Sequence, residues 1–271
     1  MFTSLKCHFR YLKPYLKYLI MLMSTNLANT PPCVSASCTL ITPSLSGLIE
    51  LAAVQNHWES LLTTVIVPIL QQETSLTAPG ACDILSTIGN ITFSNFKPHT
   101  QRLIITLLLS RTCPTPGQDA RSSACRALGV LVTYPCLRED LLFVADTANS
   151  IITALTDSNC GMQLRASWAL GNLSDSLVVN KSNSPHFVTD FSDVLLGRLF
   201  SVSLKAASEN DKVRSNVVRA LGNLLRFVKQ STYDKSHFVQ HVSNSVECLL
   251  KCSTQGMMKT RLVTLLKNCQ I

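Results

Sequence analysis

Ala169-Leu170-Gly171-Asn172-Leu173 is the stretch on which the fold turns, because the chain repeats it. Ala220-Leu221-Gly222-Asn223-Leu224 copies it letter for letter, Ala127-Leu128-Gly129-Val130-Leu131 departs at one position, and Thr87-Ile88-Gly89-Asn90-Ile91 keeps its outline. The four glycines, at 89, 129, 171 and 222, stand 40, 42 and 51 residues apart. A period of roughly 40 to 47 residues holding two or three helix-length segments marks stacked helical repeats, which bury a continuous core only by leaning on their neighbours. The spacing predicts an all-α fold, a right-handed α-solenoid of helix pairs. Such a surface offers length, not a chemical pocket.

Working outward, each phrase sits in the second helix of a pair. The apolar spacing predicts second helices over about Ala81 to Phe93, Asp119 to Val132, Met162 to Val178 and Lys212 to Val228. First helices, dense in Leu, Ile, Val and Phe, are predicted over Gln101 to Ser110, Glu139 to Leu155, Phe187 to Ala207 and Lys235 to Cys252. Before them, Leu51, Val54, Trp58, Leu61, Leu62, Val65, Ile69 and Leu70 form a helical stripe between Leu48 and Gln71. Helix-stopping turns such as Cys113-Pro114-Thr115-Pro116-Gly117 and Ser182-Asn183-Ser184-Pro185 separate the elements. A glycine inside a helix costs about 1 kcal/mol relative to alanine. Its recurrence predicts that Gly89, Gly129, Gly171 and Gly222 lie in helix interiors and let the neighbouring helix approach closely.

The ends are read differently. Residues 1–29 are basic and apolar, with Lys6, Arg10, Lys13 and Lys17 and no acid before Glu50. They are compatible with one marginal helix. Residues 30–46, with Pro31-Pro32 and Pro43, read as a Pro/Ser/Thr-rich linker, and 47–271 as the solenoid, four helix pairs and a truncated fifth. The uncharged run Tyr18 to Met23 is too short for a signal-peptide core or a bilayer span. Met258-Lys259-Thr260-Arg261 opens a further second helix that no Gly phrase completes, which reads as a fragment or short isoform of a longer array. Leu262, Val263, Leu265 and Leu266 would then lack a cover, and the isolated chain is expected to aggregate.

Composition sets the compartment and excludes some functions. The net charge of +8 is half accounted for by the amino-terminal segment, so the repeats are only mildly basic, a poor fit to nucleic-acid binding. Eleven cysteines without any Cys-x-x-Cys fit free thiols in a reducing compartment, cytoplasmic or nuclear. The acid-free start also has the composition of a mitochondrial presequence. Asn90-Ile91-Thr92 and Asn172-Leu173-Ser174 are glycosylation sequons placed where a glycan would obstruct packing.

Asp211-x-Val213-Arg214 leading into Ala220-Leu221-Gly222-Asn223-Leu224, and Asp119-x-Arg121 leading into Ala127-Leu128-Gly129, resemble the second helix of HEAT/armadillo-type repeats. The resemblance implies a non-enzymatic helical-repeat protein in which an Asp and an Arg brace adjacent turns. Gln163 stands where the third repeat would carry that Arg. Trp168 and Asn172, one helical turn apart, are similar to the peptide-gripping pairs of the armadillo groove in importin α. That resemblance implies an extended peptide held by the Asn amide and flanked by the indole. Ser86, Arg126 and Arg219 occupy the Trp position elsewhere, and arginines there favour an acidic segment over a basic signal.

Together these observations predict a scaffold that binds a protein partner along the concave face of the second helices. The candidate partner-binding residues are Arg126, Trp168, Asn172, Arg219 and Asn223. An armadillo-like transport adaptor is the alternative. Neither a Gly-x-Ser-x-Gly elbow nor His-Glu-x-x-His occurs, so no catalytic residue, cofactor or small-molecule substrate is expected. His237, His241, Cys248 and Cys252 share one helix side, but His241 and Cys252 are separated by about 16 Å of helix rise, so no shared metal site is expected. Glu139-Asp140 meets the positive end of a helix, a stabilising role.

Overall fold

A computed structural model describes residues 55–72, 77–114, 118–209, 211–228 and 236–254. The basic segment 1–29, the linker 30–46, Leu51 and Val54, and the carboxyl-terminal stretch with Met258 to Leu266 lie outside them. Every regular element among the described residues is helical. The helices gather into two compact units, with the division between Ala127 and Leu128.

In the first unit, α1 (Gln55–Leu61) passes through a π-helical turn (Leu62–Ile66) into α2 (Val67–Gln71). The wide turn falls just before Pro68, which has no N–H to close the ordinary ladder. The predicted stripe is the buried one: Trp58, Leu61, Leu62, Val65, Ile69 and Leu70 are all in the core. Next come α3 (Ala78–Leu85), α4 (Asn90–Ser94), α5 (Pro98–Thr112) and α6 (Gln118–Leu131), whose last turn belongs to the second unit.

The continuous helix expected over Ala81 to Phe93 is broken. Ser86 Oγ and Thr87 Oγ1 donate to the carbonyls of Asp83 and Ile84 at 2.6 and 2.7 Å, closing α3 with local side-chain bonds. Gly89 is extended, with φ −73° and ψ 153°, and precedes α4 as its N-cap. It is therefore not a helix-interior glycine, unlike Gly129, Gly171 and Gly222.

The second unit continues with α7 (Pro135–Arg138), α8 (Leu141–Leu155), α9 (Cys160–Asn183), α10 (Pro185–Asp190), α11 (Asp193–Glu209), α12 (Asp211–Phe227) and α13 (Ser236–Thr254). The single first helix expected over Phe187 to Ala207 is two, α10 and α11, because Phe191 turns extended and Ser192 Oγ then accepts from the Leu195 N–H at 3.3 Å. The detour seats Phe187 and Phe191 against Phe227, with ring centroids 6.5 and 5.3 Å away.

Packing within this unit is that of stacked pairs. First helix meets second in α8 with α9 and in α11 with α12. First helix also meets first, α8 with α11, and second meets second, α9 with α12, the most extensive contact of the unit. Leu170, Leu173 and Leu177 of α9 and Val217, Leu221 and Leu224 of α12 are all buried. Arg198 Nη1 ties the first helices by donating to Asn149 Oδ1 at 2.8 Å.

Helix starts follow local chemistry. Asp140 caps α8, its Oδ1 accepting from the N–H groups of Leu142 and Phe143 at 3.0 and 3.1 Å. Asn159 caps α9 in the same way, through Gly161 and Met162 at 2.8 and 3.1 Å. Glu139 ends α7 and sits 3.6 Å from Arg138.

Candidate functional site

The candidate residues lie on the second helices, and most of their polar atoms are turned to holding repeats together. Asn172, on α9, donates from Nδ2 to the carbonyl of Gly129 at 2.9 Å. That carbonyl is in the last turn of α6, where Thr133 N–H bonds Val130 instead, so the amide supplies a partner the helix end lacks. One and two turns further along α9, Ser176 Oγ donates to the Val132 carbonyl at 2.9 Å and Asn180 Nδ2 to the carbonyl of Arg138. Lys181 Nζ reaches the other way, to the carbonyls of Arg226 and Val228 at the end of α12, at 2.6 and 2.9 Å. One face of α9 thus caps the helix ends of both neighbours.

Arg219, on α12, lies over the backbone of α9 at Gly171. A Cβ built on Gly171 would stand 1.9 Å from Arg219 Nη2, so the missing side chain is the seat of the guanidinium. From there Nη2 donates to Asn172 Oδ1 at 3.3 Å, and Nη1 stands 3.7 Å from Asp175 Oδ2. Asn223, one turn on, is buried and donates to Ser174 Oγ at 3.2 Å and to Asp175. Gly129 does a different job. A Cβ there would meet Ala169 Cβ at 2.6 Å and its Cα at 2.8 Å, a backbone-to-backbone approach, with the Trp168 ring edge at 3.4 Å.

Trp168 packs its six-membered ring beside Gly129 and remains half-buried. Among the described residues its indole N–H has no hydrogen-bond partner. In the first unit, Arg126 donates from Nη1 to Ser86 Oγ at 3.0 Å and stands 3.6 Å from Asp83 Oδ1, with 41% of its side chain exposed. The arginines at the Trp position therefore each carry a carboxylate of their own, Asp83 or Asp175. No spacing or motif in the chain signals this pairing.

The brace expected of Asp and Arg also takes a specific form. Arg121 Nε donates to the Thr112 carbonyl at 3.5 Å and Arg214 Nε to the Ala207 carbonyl at 2.9 Å, each closing the end of its pair's first helix. Gln163, where the Arg is missing, donates from Nε2 to the Asp157 carbonyl at 2.8 Å, in the turn that follows α8. The side chains of Asp119 and Asp211 lie outside the described residues.

The titratable core groups are held neutral. Burial pushes the Cys82 and Cys125 thiols up to about 12, and Tyr134 to about 12. His241 stacks on Phe200 with centroids 6.0 Å apart, and the side chain of His237 lies outside the described residues. No group of three or more His, Cys, Asp or Glu among the described residues could hold a metal ion, and no described helix is long and apolar enough to cross a membrane.

The fold is that of an all-α solenoid of helical repeats. Of solved structures, an engineered protein superimposes with a TM-score of 0.67 over 94% of this chain and 96% of its own, at 17% identity. A designed armadillo repeat protein in complex with the peptide (KR)4 does so with a TM-score of 0.59 over 92% and 95%, at 15% identity. At those identities the likeness is one of fold. By sequence, an uncharacterized protein of Dictyostelium discoideum is 33% identical over 146 residues, 54% of this chain and 10% of the relative, so the chain spans about a tenth of that relative's length. No family model matches.

Proposed function

We propose that the chain is a non-enzymatic protein-binding scaffold that receives an extended segment of a partner along the accessible stripe of its second helices. The observation that carries this reading is Trp168: a half-buried indole on α9, with an N–H that the described residues do not use, one helical turn before Asn172, whose Oδ1 accepts from Arg219. An indole in that position flanks a long side chain of the partner while its N–H donates to a partner carbonyl. Asn172 and Asn223 contribute by fixing the stripe, and Arg219 offers charge. Arg126 presents the same chemistry in the first unit.

An acidic segment fits this stripe, since a partner carboxylate can share the guanidinium that Asp175 holds at 3.7 Å, with 38% of the Arg219 side chain exposed. The designed armadillo neighbour binds a peptide of the opposite sign, (KR)4, and an armadillo-like adaptor is the second reading. Within the first reading, the run from Ser123 to Asn149 and Arg165 to Leu173 is similar to HEAT repeat-containing protein six, which suits a scaffold and a cytoplasmic or nuclear site of action.

The test is a titration of the chain with acidic, neutral and basic extended peptides at two salt concentrations. Trp168→Ala with Arg219→Gln is expected to weaken acidic-peptide binding at least tenfold, about 1.4 kcal/mol, while the helical signal persists. Binding of the basic peptide alone moves the assignment to the adaptor. Equal binding by the double variant removes the stripe.

A further inference from the structure

At the last described pair, α11, α12 and α13 leave a cleft of about 300 Å³ lined by Leu204, Ala207, Arg214, Asn244, Cys248 and Cys252, with Glu247 and Lys251 at its rim. That volume is at the lower end of the range small ligands occupy. Cys248 and Cys252, one turn apart on α13, both line it. Cys248 is hydrogen-bonded to Cys252, and burial first, then its neighbouring sulfur, push the Cys248 thiol up to about 11. Cys252 is half-buried and reachable.

The walls are cationic where it matters. Arg214 is oriented by its Nε bond to the Ala207 carbonyl at 2.9 Å, and both Arg214 and Lys251 act electrostatically on Cys248. Lys251 Nζ is 2.6 Å from Glu247 Oε1, and Asn244, whose Oδ1 accepts from Gln240 at 2.7 Å, keeps an NH2 group to donate. Two thiols are too few donors for the four-coordinate sites zinc requires. A half-buried thiol in an open cleft beside two cations and an amide suits a small anionic thiol compound instead.

We propose that this cleft is a modification site at which Cys252 is capped by an anionic low-molecular-weight disulfide of the glutathione type. The Cys252 thiolate attacks one sulfur of the disulfide, the S–S bond of the reagent breaks as the new one forms, and the displaced thiolate leaves and takes a proton from water. No other oxidant is needed. The carboxylates of the bound half face Arg214 and Lys251, and its amides face Asn244. This is independent of the partner-binding stripe.

The test treats the full chain with oxidised glutathione or with the cationic disulfide cystamine and maps each cysteine by mass spectrometry, using exposed Cys160 as internal reference. Relative to Cys160, Cys252 is expected to react about 10-fold faster with glutathione disulfide than with cystamine. Lys251→Gln, an exposed substitution of good helix propensity, should erase most of that preference, and Cys248→Ala should slow Cys252 with either reagent. Circular dichroism verifies that each variant stays folded. Equal rates for the two reagents, or a Cys252 no faster than Cys160 toward glutathione disulfide, would overturn the proposal.

Discussion

Gly129 and Gly171 occupy the same place in the repeated phrase and yet answer to different neighbours. Alanine at 129 would drive its Cβ into Ala169 Cβ and Cα, neither of which can swing aside. The overpacking cost, about 1–3 kcal/mol, exceeds the helix-propensity gain of ~1 kcal/mol, so Gly129→Ala is expected to lower the urea midpoint. Alanine at 171 meets only the end of the Arg219 side chain, which can move out at the loss of its contacts with Asn172 and Asp175. Gly171→Ala should stay within about 1 kcal/mol of the parent by the same measurement. Equal effects would show that both glycines serve one purpose. Asn172→Ala leaves the Gly129 carbonyl unpaired and should cost about 1–3 kcal/mol. No change in stability would mean the amide is spare for a partner. The spacing of Asn172, Ser176 and Asn180, four residues apart, was a readable signal that one polar face of α9 has a continuous job.

At the level of elements, helix ends govern the repeat. The carbonyls that close α5 and α11 are met by Arg121 and Arg214, and the Asp157 carbonyl in the turn after α8 by Gln163, each from the helix that follows. Gln163→Met is therefore expected to destabilise the second unit by about 1 kcal/mol, while Gln163→Arg should be tolerated. Thermal melts of the two variants test this, and a neutral Gln163→Met would mean the bond to Asp157 contributes nothing. Asp140→Ala removes the N-cap of α8 and should cost about 1 kcal/mol, readable in the same melts. Helix type and register were legible from apolar spacing. The breaks at Gly89 and at Phe191-Ser192 were not, because there short-range hydroxyl bonds and the docking of Phe187 and Phe191 on Phe227 outweigh a pattern that would support a continuous helix.

For the whole molecule, buried acids that stay protonated make stability depend on alkaline pH. Folding raises the Cys82 and Cys125 thiols from 9.0 to about 12 and Tyr134 from 10.0 to about 12, all by burial first. With rising pH the unfolded chain releases these protons before the folded one does, so stability is full below about pH 9 and falls through the window from 9 to about 12. Each group contributes about 1.4 kcal/mol per pH unit between its two values. Melting temperatures measured from pH 8 to 10.5 should decline, and less steeply in Cys125→Ala; a flat profile would show the thiols to be solvated. The amino-acid order by itself determined that this is a stack of helix pairs, since a recurring small residue within recurring apolar stripes admits no other way to bury them. Only the tertiary structure decided what the polar residues of the phrase do. The amide of Asn172 finds its acceptor 43 residues away, and Arg219 and Asp175 meet from helices 44 residues apart in the chain, and pairings between neighbouring repeats follow from how the helices stack, which local sequence does not encode.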